Sequence, residues 1–568
     1  MSLTWNLKDI YINEEEWEQE LQSFQDNIEE IKFEQIIEQN DLTLLYKVLE
    51  DIEEGYRRLN KIYNYALLKY DTNINNDDSN KIMFAAEDLY SYYDNYLHKF
   101  HEWLENNKEL IYSRSKVDGK LKKYLHTLED FENKTNVVEM ESALSIEMMY
   151  KELLYADNEI TRFNHNGKEI VVRNENHLTL LESQELDIRK GTYMAVLEEL
   201  EKKKDFSAFL LNAHNKIQNI KARENGEVNS FDYHLKDKVG YQNFNCYSNA
   251  INENLNLFHK IIELKKKNMQ VDKISYYDMY PLIGEFNEKI DIAEAKHIIF
   301  EALSPLGQDY LDLVKKVFDE NWIDWSPYSG KRTGGYSLNV YDAHPYILIN
   351  WQSNIDSLYT LIHEIGGAIA SYISSKNQSF IYSEQSILIT EISSMVNEGL
   401  LSRHLLNKYS DSEIKLSILH KYVDKIRENF FQTFQLVEFE KALSLASLKE
   451  RLTAELISNI YVDTISKYYD SEHFENIELN KFNWVRIPHL YKNFYNLDYV
   501  VAVGISEYIV EKIYEDDEFK YRYINLFSNG CSKNDMEILN DIGININSDS
   551  HVKSIIKILN KLLTQLEG

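Results

Sequence analysis

The sequence predicts a mainly α protein with one small β-hairpin. Glycine and proline are scarce, at 18 and 5 of 568 residues, so few positions would interrupt a helix. Apolar residues recur at spacings of three and four through much of the chain, which is the period of a helix with one buried face. The apolar fraction of 43% can supply a large core.

The first 200 residues show this helical period most clearly. Apolar side chains recur every three or four residues at Trp17, Leu21, Phe24, Ile28 and Ile31, with acidic residues between them. The same pattern recurs at 44–68, 82–104 and 138–155. A strand-like interruption occupies 165–173, where Asn-Gly indicates a turn. We therefore expect a helical N-terminal lobe at 1–200 and a second lobe at 201–568.

The pattern changes at residues 328–351, before two further predicted helices. Two strand-like runs, 338–341 and 346–351, flank Asp-Ala-His-Pro and predict a β-hairpin. A helix is then predicted at about 355–374 and another at about 382–408. The hairpin and the first of these helices contain most of the candidate catalytic and binding residues.

The charge excludes some classes of partner. The formal net charge is −31, which repels phosphate backbones and anionic membrane surfaces, so we expect neither nucleic acid nor membrane as a partner. No apolar run reaches the ~20 residues of a bilayer span. The start of the chain lacks the basic and apolar regions of a secretory signal. Cys246 and Cys531 are expected to be reduced thiols, and the predicted compartment is the cytoplasm.

Residues 360–368 carry an incomplete metallopeptidase motif, Thr-Leu-Ile-His-Glu-Ile-Gly-Gly-Ala. Zinc peptidases use H-E-x-x-H on a helix, because residues four apart share a face and can both reach one ion. The glutamate then holds the attacking water and acts as general base. Here His363 and Glu364 are present, but the fourth position after His363 is Gly367. A lone His-Glu pair is more often a surface or capping pair.

Three acids give this pair a context. Glu391 lies 24 residues beyond Gly367 on the next predicted helix, where an antiparallel arrangement could make it a zinc ligand. Asp356, seven residues before His363, could orient the imidazole through a hydrogen bond, but a solvated helix start is the simpler interpretation. Glu398, seven residues after Glu391, has the same two interpretations.

Several segments in order resemble the oligoendopeptidase F group of the M3 metallopeptidases, relatives of thimet oligopeptidase. The resemblance extends over about 325–510. It is carried by the segments Lys331–Ser337, His344–Tyr346, Asp356–Gly366, Asn377-Gln378 with Tyr382-Ser383, Glu391–Glu398, Phe434 with Glu438–Glu440, and Ile487–His489 with Tyr491, Tyr499 and Gly504.

The resemblance implies a large helical metallopeptidase fold with an internal channel for short, unstructured peptides. It places the H-E-x-x-G helix, the third-ligand helix and a late His/Tyr segment at about 487–505 in the second lobe. In the family one zinc ion is held by two His and one Glu, which here correspond to His363, position 367 and Glu391. Glu364 would be the general base.

The resemblance also implies oxyanion donors and peptide contacts. His489 and Tyr499 would stabilise the oxyanion, with Tyr495 as a second candidate because the match slips by about one residue there. A buried core histidine is the alternative for His489. The strand near Tyr346–Trp351 could pair with a peptide backbone, and Gly334-Gly335 would let that backbone approach closely. Ordinary fold structure is the alternative interpretation of this hairpin. The implied peptide-binding residues are Gly334, Gly335, Tyr336, His344 and Tyr346.

Glycine at position 367 leaves the predicted zinc site without its second histidine, which should weaken metal binding severely. Three explanations remain open: a non-catalytic homologue, a low-activity enzyme completed by another residue such as His344, or a substituted form of an active parent. Two hypotheses follow, an impaired zinc oligopeptidase and a peptide-binding protein that could form homo- or hetero-oligomers with an active homologue. A helical scaffold without peptide function is a third interpretation.

Overall fold

Helices account for most of the chain in the computed structural model. The structure describes residues 3–28, 33–39, 44–116, 118–124, 146–154, 159–173, 176–236, 240–281, 283, 289–409 and 412–567. The prediction of a mainly α protein with a small sheet is confirmed. The described residues form two compact units, which are given separately below.

The first unit lies within Met1–Val137, Lys289–Glu398 and Ile513–Ile542. Its helices are Glu14–Asn27, Glu34–Gln39, Leu45–Thr72, Asp77–Asn106, Lys108–Ser115, Ile292–Leu303, Gln308–Asp319, Ile355–Asn377, Phe380–Ser383, Phe519–Leu526 and Asp535–Asp541. The helix Ile387–Lys408 belongs to this unit up to Glu398. Below, Ile355–Asn377 is called the motif helix and Ile387–Lys408 the carboxylate helix.

A pair of long helices, Leu45–Thr72 and Asp77–Asn106, forms much of the first unit's core. The second of them is preceded by Asn76, whose side-chain oxygen accepts from the amides of residues 78 and 79. Gly55 allows the pair to approach closely, because a Cβ there would overlap the Tyr93 ring. The apolar residues that recur every three or four positions therefore form the contacts between these helices.

A three-stranded sheet in the order β3-β5-β4 lies in the same unit, with β3 at Ile323–Asp324, β4 at Tyr336–Leu338 and β5 at Tyr346–Leu348. β4 and β5 are antiparallel, so the predicted hairpin is confirmed, although its first strand begins two residues earlier than expected. β3 pairs with β5 in parallel and was not predicted from its two residues.

The position of β5 corrects one expectation. Its residues 346–348 are fully buried and hydrogen-bonded to a neighbour on each side. They cannot therefore pair with a bound peptide, as the sequence had suggested for this run. The outer strand is β4, which has β5 on one side only among the described residues.

A buried ion pair fixes the loop before β4. The ammonium of Lys331 donates to Asp324 Oδ1 at 2.6 Å and to the carbonyls of Asp324, Ser326 and Ile349 at 2.7–3.2 Å. Neither side chain is exposed by more than 1%. Burial raises the pKa of Asp324, and the Lys331 charge opposes that shift. One cation thus ties the loop to both β3 and the end of β5.

Replacing Lys331 with Met should destabilise the protein by about 3–5 kcal/mol, because it leaves the Asp324 carboxylate buried without its cation. The free energy of unfolding in urea measures this loss. The double variant Lys331→Met/Asp324→Leu should recover most of it. Lys81→Met, at a pair whose side chains are 75% and 79% exposed, is the control and should change stability by less than about 0.5 kcal/mol. An equal effect at both lysines would contradict the prediction.

The second unit lies within Val138–Glu288, Gly399–Lys512 and Gly543–Gly568. It contains an antiparallel hairpin, β1 at Glu159–His165 and β2 at Lys168–Arg173. Asn166 and Gly167 have φ of 51° and 79°, so the predicted Asn-Gly turn is confirmed. Its helices are His177–Leu181, Leu186–Glu224, Ser230–His234, Tyr241–Glu253, Leu255–Met269, Ser412–Ile426, Thr433–Ser447, Ala454–Ser466, Tyr495–Glu515 and Ser550–Glu567.

Some predicted boundaries differ from those observed. The expected lobe boundary at residue 200 falls inside the unbroken helix Leu186–Glu224. The helix predicted at 382–408 is split into Phe380–Ser383 and Ile387–Lys408, with Glu384 extended and the Ser386 hydroxyl accepting from the Ile389 amide. Of the pattern at 138–155, only 146–154 lies within the described residues, and it is helical. No described helix is long and apolar enough to span a bilayer.

Candidate active site

The start of the motif helix is fixed by a side-chain cap. The Asn354 side-chain oxygen accepts from the Ser357 amide at 2.9 Å. One side of the helix is anchored in the core by Leu358, Leu361, Ile362, Ile365 and Ile369. This burial sets the rotation of the helix and therefore the directions of His363 and Glu364. The predicted helix at 355–374 is confirmed and continues to Asn377.

The motif helix and the carboxylate helix cross closely at Gly366. A Cβ at that glycine would lie 2.7 Å from the Ser393 carbonyl oxygen and 2.8 Å from the Ser394 Cα, so any side chain there would force the backbones apart. The Asn397 side chain donates to the Ile362 carbonyl at 3.3 Å across the same crossing. The close approach brings Glu391 and Glu398 to the ring of His363.

His363 lies between those two carboxylates. Its Nδ1 is 2.9 Å from Glu398 Oε1, and its Nε2 is 3.8 Å from Glu391 Oε2. Burial lowers the pKa of His363, but the hydrogen bond and charge of Glu398, with Glu364 and Glu391 nearby, outweigh it and raise the pKa to about 9. In a metal site, an Nδ1–carboxylate contact orients the imidazole so that Nε2 faces the ion.

The side chain of Glu364 projects from the motif helix toward β4. Its Oε1 is 3.6 Å from a Cβ built on Gly335, and the Ser337 hydroxyl hydrogen-bonds its carboxyl group. Burial raises the pKa of Glu364 to about 7, with His363 opposing the shift and the other two glutamates adding to it. A carboxyl group with a pKa near neutrality can both accept and donate a proton at physiological pH.

Packing requires glycine at position 366 but not at position 367. The three atoms of other segments nearest to a Cβ at 367 all belong to side chains, Ser337 Oγ at 3.0 Å, Ser394 Oγ at 3.4 Å and Thr390 Cγ2 at 3.5 Å. The nearest of these is a hydroxyl that can rotate away. Position 367 therefore faces the space between β4 and the carboxylate helix, where it presents no side chain.

The residues present do not complete a zinc centre. Two donors converge, His363 Nε2 and Glu391, while the neighbours of position 367 are the hydroxyls of Ser337 and Ser394. Structural and catalytic zinc sites use three or four N, S or carboxylate donors from the protein. Within the described ranges, no group of three or more His, Cys, Asp or Glu side chains could hold a metal ion.

The predicted peptide-binding residues fall into two groups. Gly334, with φ of 85°, and Gly335 lead into β4, and a Cβ at Gly335 would lie 2.8 Å from Thr360 of the motif helix. These two glycines let the strand lie against the helix beside Glu364. The Tyr336 hydroxyl donates to Asp71 at 2.7 Å, which anchors the strand to the helix Leu45–Thr72.

His344 and Tyr346 lie in the core of the first unit. The His344 ring stacks on Trp322 at 4.9 Å, its Nδ1 is 2.7 Å from the Pro345 carbonyl oxygen, and its Nε2 is 3.2 Å from Asp9. Tyr346 is fully buried and its hydroxyl donates to the Asn6 carbonyl. Both ring nitrogens of His344 are therefore engaged by groups outside the two site helices, and its role in completing the site stays a prediction.

The two carboxylates predicted to orient His363 lie in different places. Glu398 is the carboxylate that contacts His363 Nδ1. Asp356 is exposed in the first turn of the motif helix, where its charge suits the helix dipole. The structure therefore brings Glu398, and not Asp356, to the position from which a carboxylate orients the imidazole.

The late His/Tyr segment belongs to the second unit. His489 lies in a 3₁₀ turn, Pro488–Tyr491, and Tyr495 and Tyr499 lie one turn apart at the start of Tyr495–Glu515. The centroids of the His489 and Tyr495 rings are 5.0 Å apart, and those of the two tyrosines 6.1 Å. Burial lowers the pKa of His489. The three predicted oxyanion donors thus form one cluster.

A buried acid anchors this cluster. The Asn496 side chain donates to Glu440 Oε2 at 2.9 Å, and the Phe494 amide also bonds the carboxyl group. Asn493 and Phe494 have φ of 43° and 61°, an uncommon backbone for side-chain-bearing residues. Burial raises the pKa of Glu440 to about 8. Its anchoring role was not predicted, although Glu440 lies in one of the segments that carry the resemblance.

Glu440 should make stability fall with rising pH. Its folded pKa is about 8 against an ordinary 4.5, so its contribution is fully present below pH 4.5 and is lost as the pH rises through 8. Between pH 5 and 9 the parent should lose up to about 4 kcal/mol more than Glu440→Gln. Urea unfolding across this range tests it, with the exposed Glu450→Gln as control. Parallel curves for parent and Glu440→Gln would contradict it.

Ser337 and Ser394, which flank position 367, were also missed. For Ser337 the sequence held a usable signal, since residues two apart on a strand point the same way and Gly335 was already a candidate. Ser394 needs the crossing at Gly366 to bring it close.

Comparison with known proteins agrees with this arrangement. Residues 179–558 match the sequence profile of Peptidase family M3. The chain is 27% identical to the chromosomal oligoendopeptidase F of Lactococcus lactis subsp. cremoris, over 100% of this chain and 97% of that protein. It is 28% identical to oligopeptidase PepF of Bacillus subtilis strain 168, over 99% and 87%.

Solved structures share the fold. Oligoendopeptidase F from Enterococcus faecium superposes with a TM-score of 0.73 at 23% identity, covering 97% of both chains. Pz peptidase A with an inhibitor gives a TM-score of 0.74 at 17% identity, covering 99% of this chain and 97% of that one. Because the family profile covers well over half of the sequence, this chain is a member of peptidase family M3.

Proposed function

We propose that this protein binds short, unstructured peptides as an oligoendopeptidase-type peptidase, and that glycine at position 367 impairs their hydrolysis. The observation that carries the proposal is the convergence of His363 Nε2 and Glu391 Oε2, 3.8 Å apart, beside a third position without a side chain. Glu398 would orient His363 and the half-buried Glu364 would act as general base, two further roles that a metallopeptidase needs.

The edge strand β4 supports peptides as ligands. Its second edge has no strand partner among the described residues, and it runs past Glu364 through Ser337. An extended peptide can add to such an edge through backbone hydrogen bonds, which require no particular sequence. Of the predicted contacts, Gly334, Gly335 and Tyr336 precede or lie in this strand, so we assign peptide binding to them rather than to the buried Tyr346.

The second candidate is a peptide-binding protein without catalysis. It is favoured by the same missing side chain, because two protein donors hold zinc far more weakly than three. Such a protein could act alone or beside an active homologue. The cytoplasm remains the predicted compartment for either function.

Metal content and peptide assays distinguish the two. Metal mass spectrometry on protein incubated with zinc, and hydrolysis of a quenched fluorescent peptide with and without a chelator, should be measured together with peptide binding by calorimetry. Chelator-sensitive hydrolysis at a low rate supports the impaired peptidase. Binding without hydrolysis supports the second candidate. Neither binding nor hydrolysis across a set of short peptides would overturn both.

A further inference from the structure

A half-buried arginine in the second unit has few partners. Arg486 ends the 3₁₀ helix Ile477–Arg486, three residues before His489. One of its nitrogens donates to the Tyr280 hydroxyl at 2.6 Å. No Asp or Glu among the described residues lies within ion-pair distance of it. A guanidinium has five N–H donors, so Arg486 has donors to spare for a further acceptor.

The surroundings of Arg486 are neutral and polar. Burial lowers the pKa of Arg486, and the nearby Tyr280, Tyr193 and Tyr276 outweigh this and raise it. The Tyr193 ring stacks on Tyr276 at 6.1 Å, and its hydroxyl is held by Asn480 and Asn483. These tyrosines are fixed by contacts of their own, so they form a rigid wall around the cation.

A histidine beside these tyrosines has a ring nitrogen without a hydrogen-bond partner. His177 Nε2 is buried, with no hydrogen-bond partner. Burial, and then the charge of Arg486, lower the pKa of His177 to about 4, so the ring is neutral at physiological pH. A neutral imidazole can donate through Nε2 to an anion without adding a charge. Arg486 itself is only partly buried, so small solutes can reach it.

We infer that Arg486, with the Tyr280 hydroxyl, is a binding site for a carboxylate group of the peptide ligand. A planar guanidinium matches a carboxylate with two parallel hydrogen bonds, and a tyrosine hydroxyl can add a third. The inference rests on the proposed function for its ligand class. Because Arg486 and His489 are three residues apart, their Cα atoms are at most about 11 Å apart, which places the carboxylate near the predicted oxyanion cluster.

A short peptide can supply the carboxylate from its C-terminus or from an acidic side chain, and matched peptides separate the sources. Four versions of one pentapeptide are needed, with a free or amidated C-terminus, each with Asp or Asn at one internal position. Calorimetry with the full-length protein should show binding about 10- to 100-fold tighter for the carboxylate-bearing version of one pair. That preference should vanish in Arg486→Met, weaken in Tyr280→Phe and persist partly in Arg486→Lys.

The outcomes separate this inference from the proposed function. Tight binding of all four peptides, unchanged by Arg486→Met, would overturn the carboxylate site and leave peptide binding intact. If no peptide binds, N-acetylphenylalanine is the remaining probe. A thermal shift that it produces in the parent, but not in Arg486→Met or when its amide is used, would support the site alone. No shift from that probe would overturn the site. Circular dichroism melts verify that the variants are folded.

Discussion

Replacing Gly367 with His should raise both the zinc content and the peptidase activity of this protein. The new imidazole would join His363 and Glu391 on the face toward β4, because residues four apart on a helix project the same way. Zinc affinity should rise by at least about 100-fold, since even the partners behind a ligand change it by 10- to 100-fold. Metal mass spectrometry and chelator-sensitive hydrolysis of a short peptide measure the two effects.

The residues that surround position 367 determine which control variants are informative. A Cβ at 367 meets Ser337 Oγ at 3.0 Å, so the hydroxyl must rotate or shift by a few tenths of an ångström. The double variant Gly367→His/Ser337→Ala removes that contact and should bind zinc at least as well. Gly367→Leu adds bulk without a donor and should bind no more zinc than the parent. If Gly367→His behaves like Gly367→Leu, the site is not the zinc site inferred here.

In the Gly367→His protein, Glu364→Gln should lower kcat by about 10²- to 10⁴-fold and leave the zinc content unchanged. The glutamine keeps the size of the side chain and can accept the Ser337 hydrogen bond, but it cannot take up a proton.

A second Glu→Gln change controls for general effects of the substitution. Glu384 is exposed in the segment between Phe380–Ser383 and the carboxylate helix, so Glu384→Gln should change kcat by less than about twofold. Loss of zinc in Glu364→Gln would instead indicate that Glu364 is a metal ligand. Retention of full kcat would show that Glu364 does not transfer the proton.

The helices of the site were predictable because their signals are local. The apolar period over 355–374, the acid at the helix start and the His363-Glu364 pair are all visible within one stretch of sequence. The same holds for the Asn-Gly turn of the first hairpin, where φ above zero needs those residue types. The sequence also located the gap at position 367, since the spacing of the motif is fixed by the helical turn.

Other features depend on long-range packing. The choice between Asp356 and Glu398 as the acid beside His363 rests on the crossing at Gly366, which no local pattern encodes. Likewise, β5 was a candidate for peptide pairing until the two-residue strand β3, distant in sequence, covered its other edge.

The sequence by itself determined the helical class, the two site helices and the absence of a side chain at the second ligand position, because these follow from periodicity and spacing along the chain. Only the tertiary structure decided which carboxylate orients His363, that His344 stacks in the core against Trp322, and that Arg486 lies among tyrosines. The physical reason is that burial and pairing of polar groups depend on which elements pack together, and such contacts join residues tens to hundreds of positions apart.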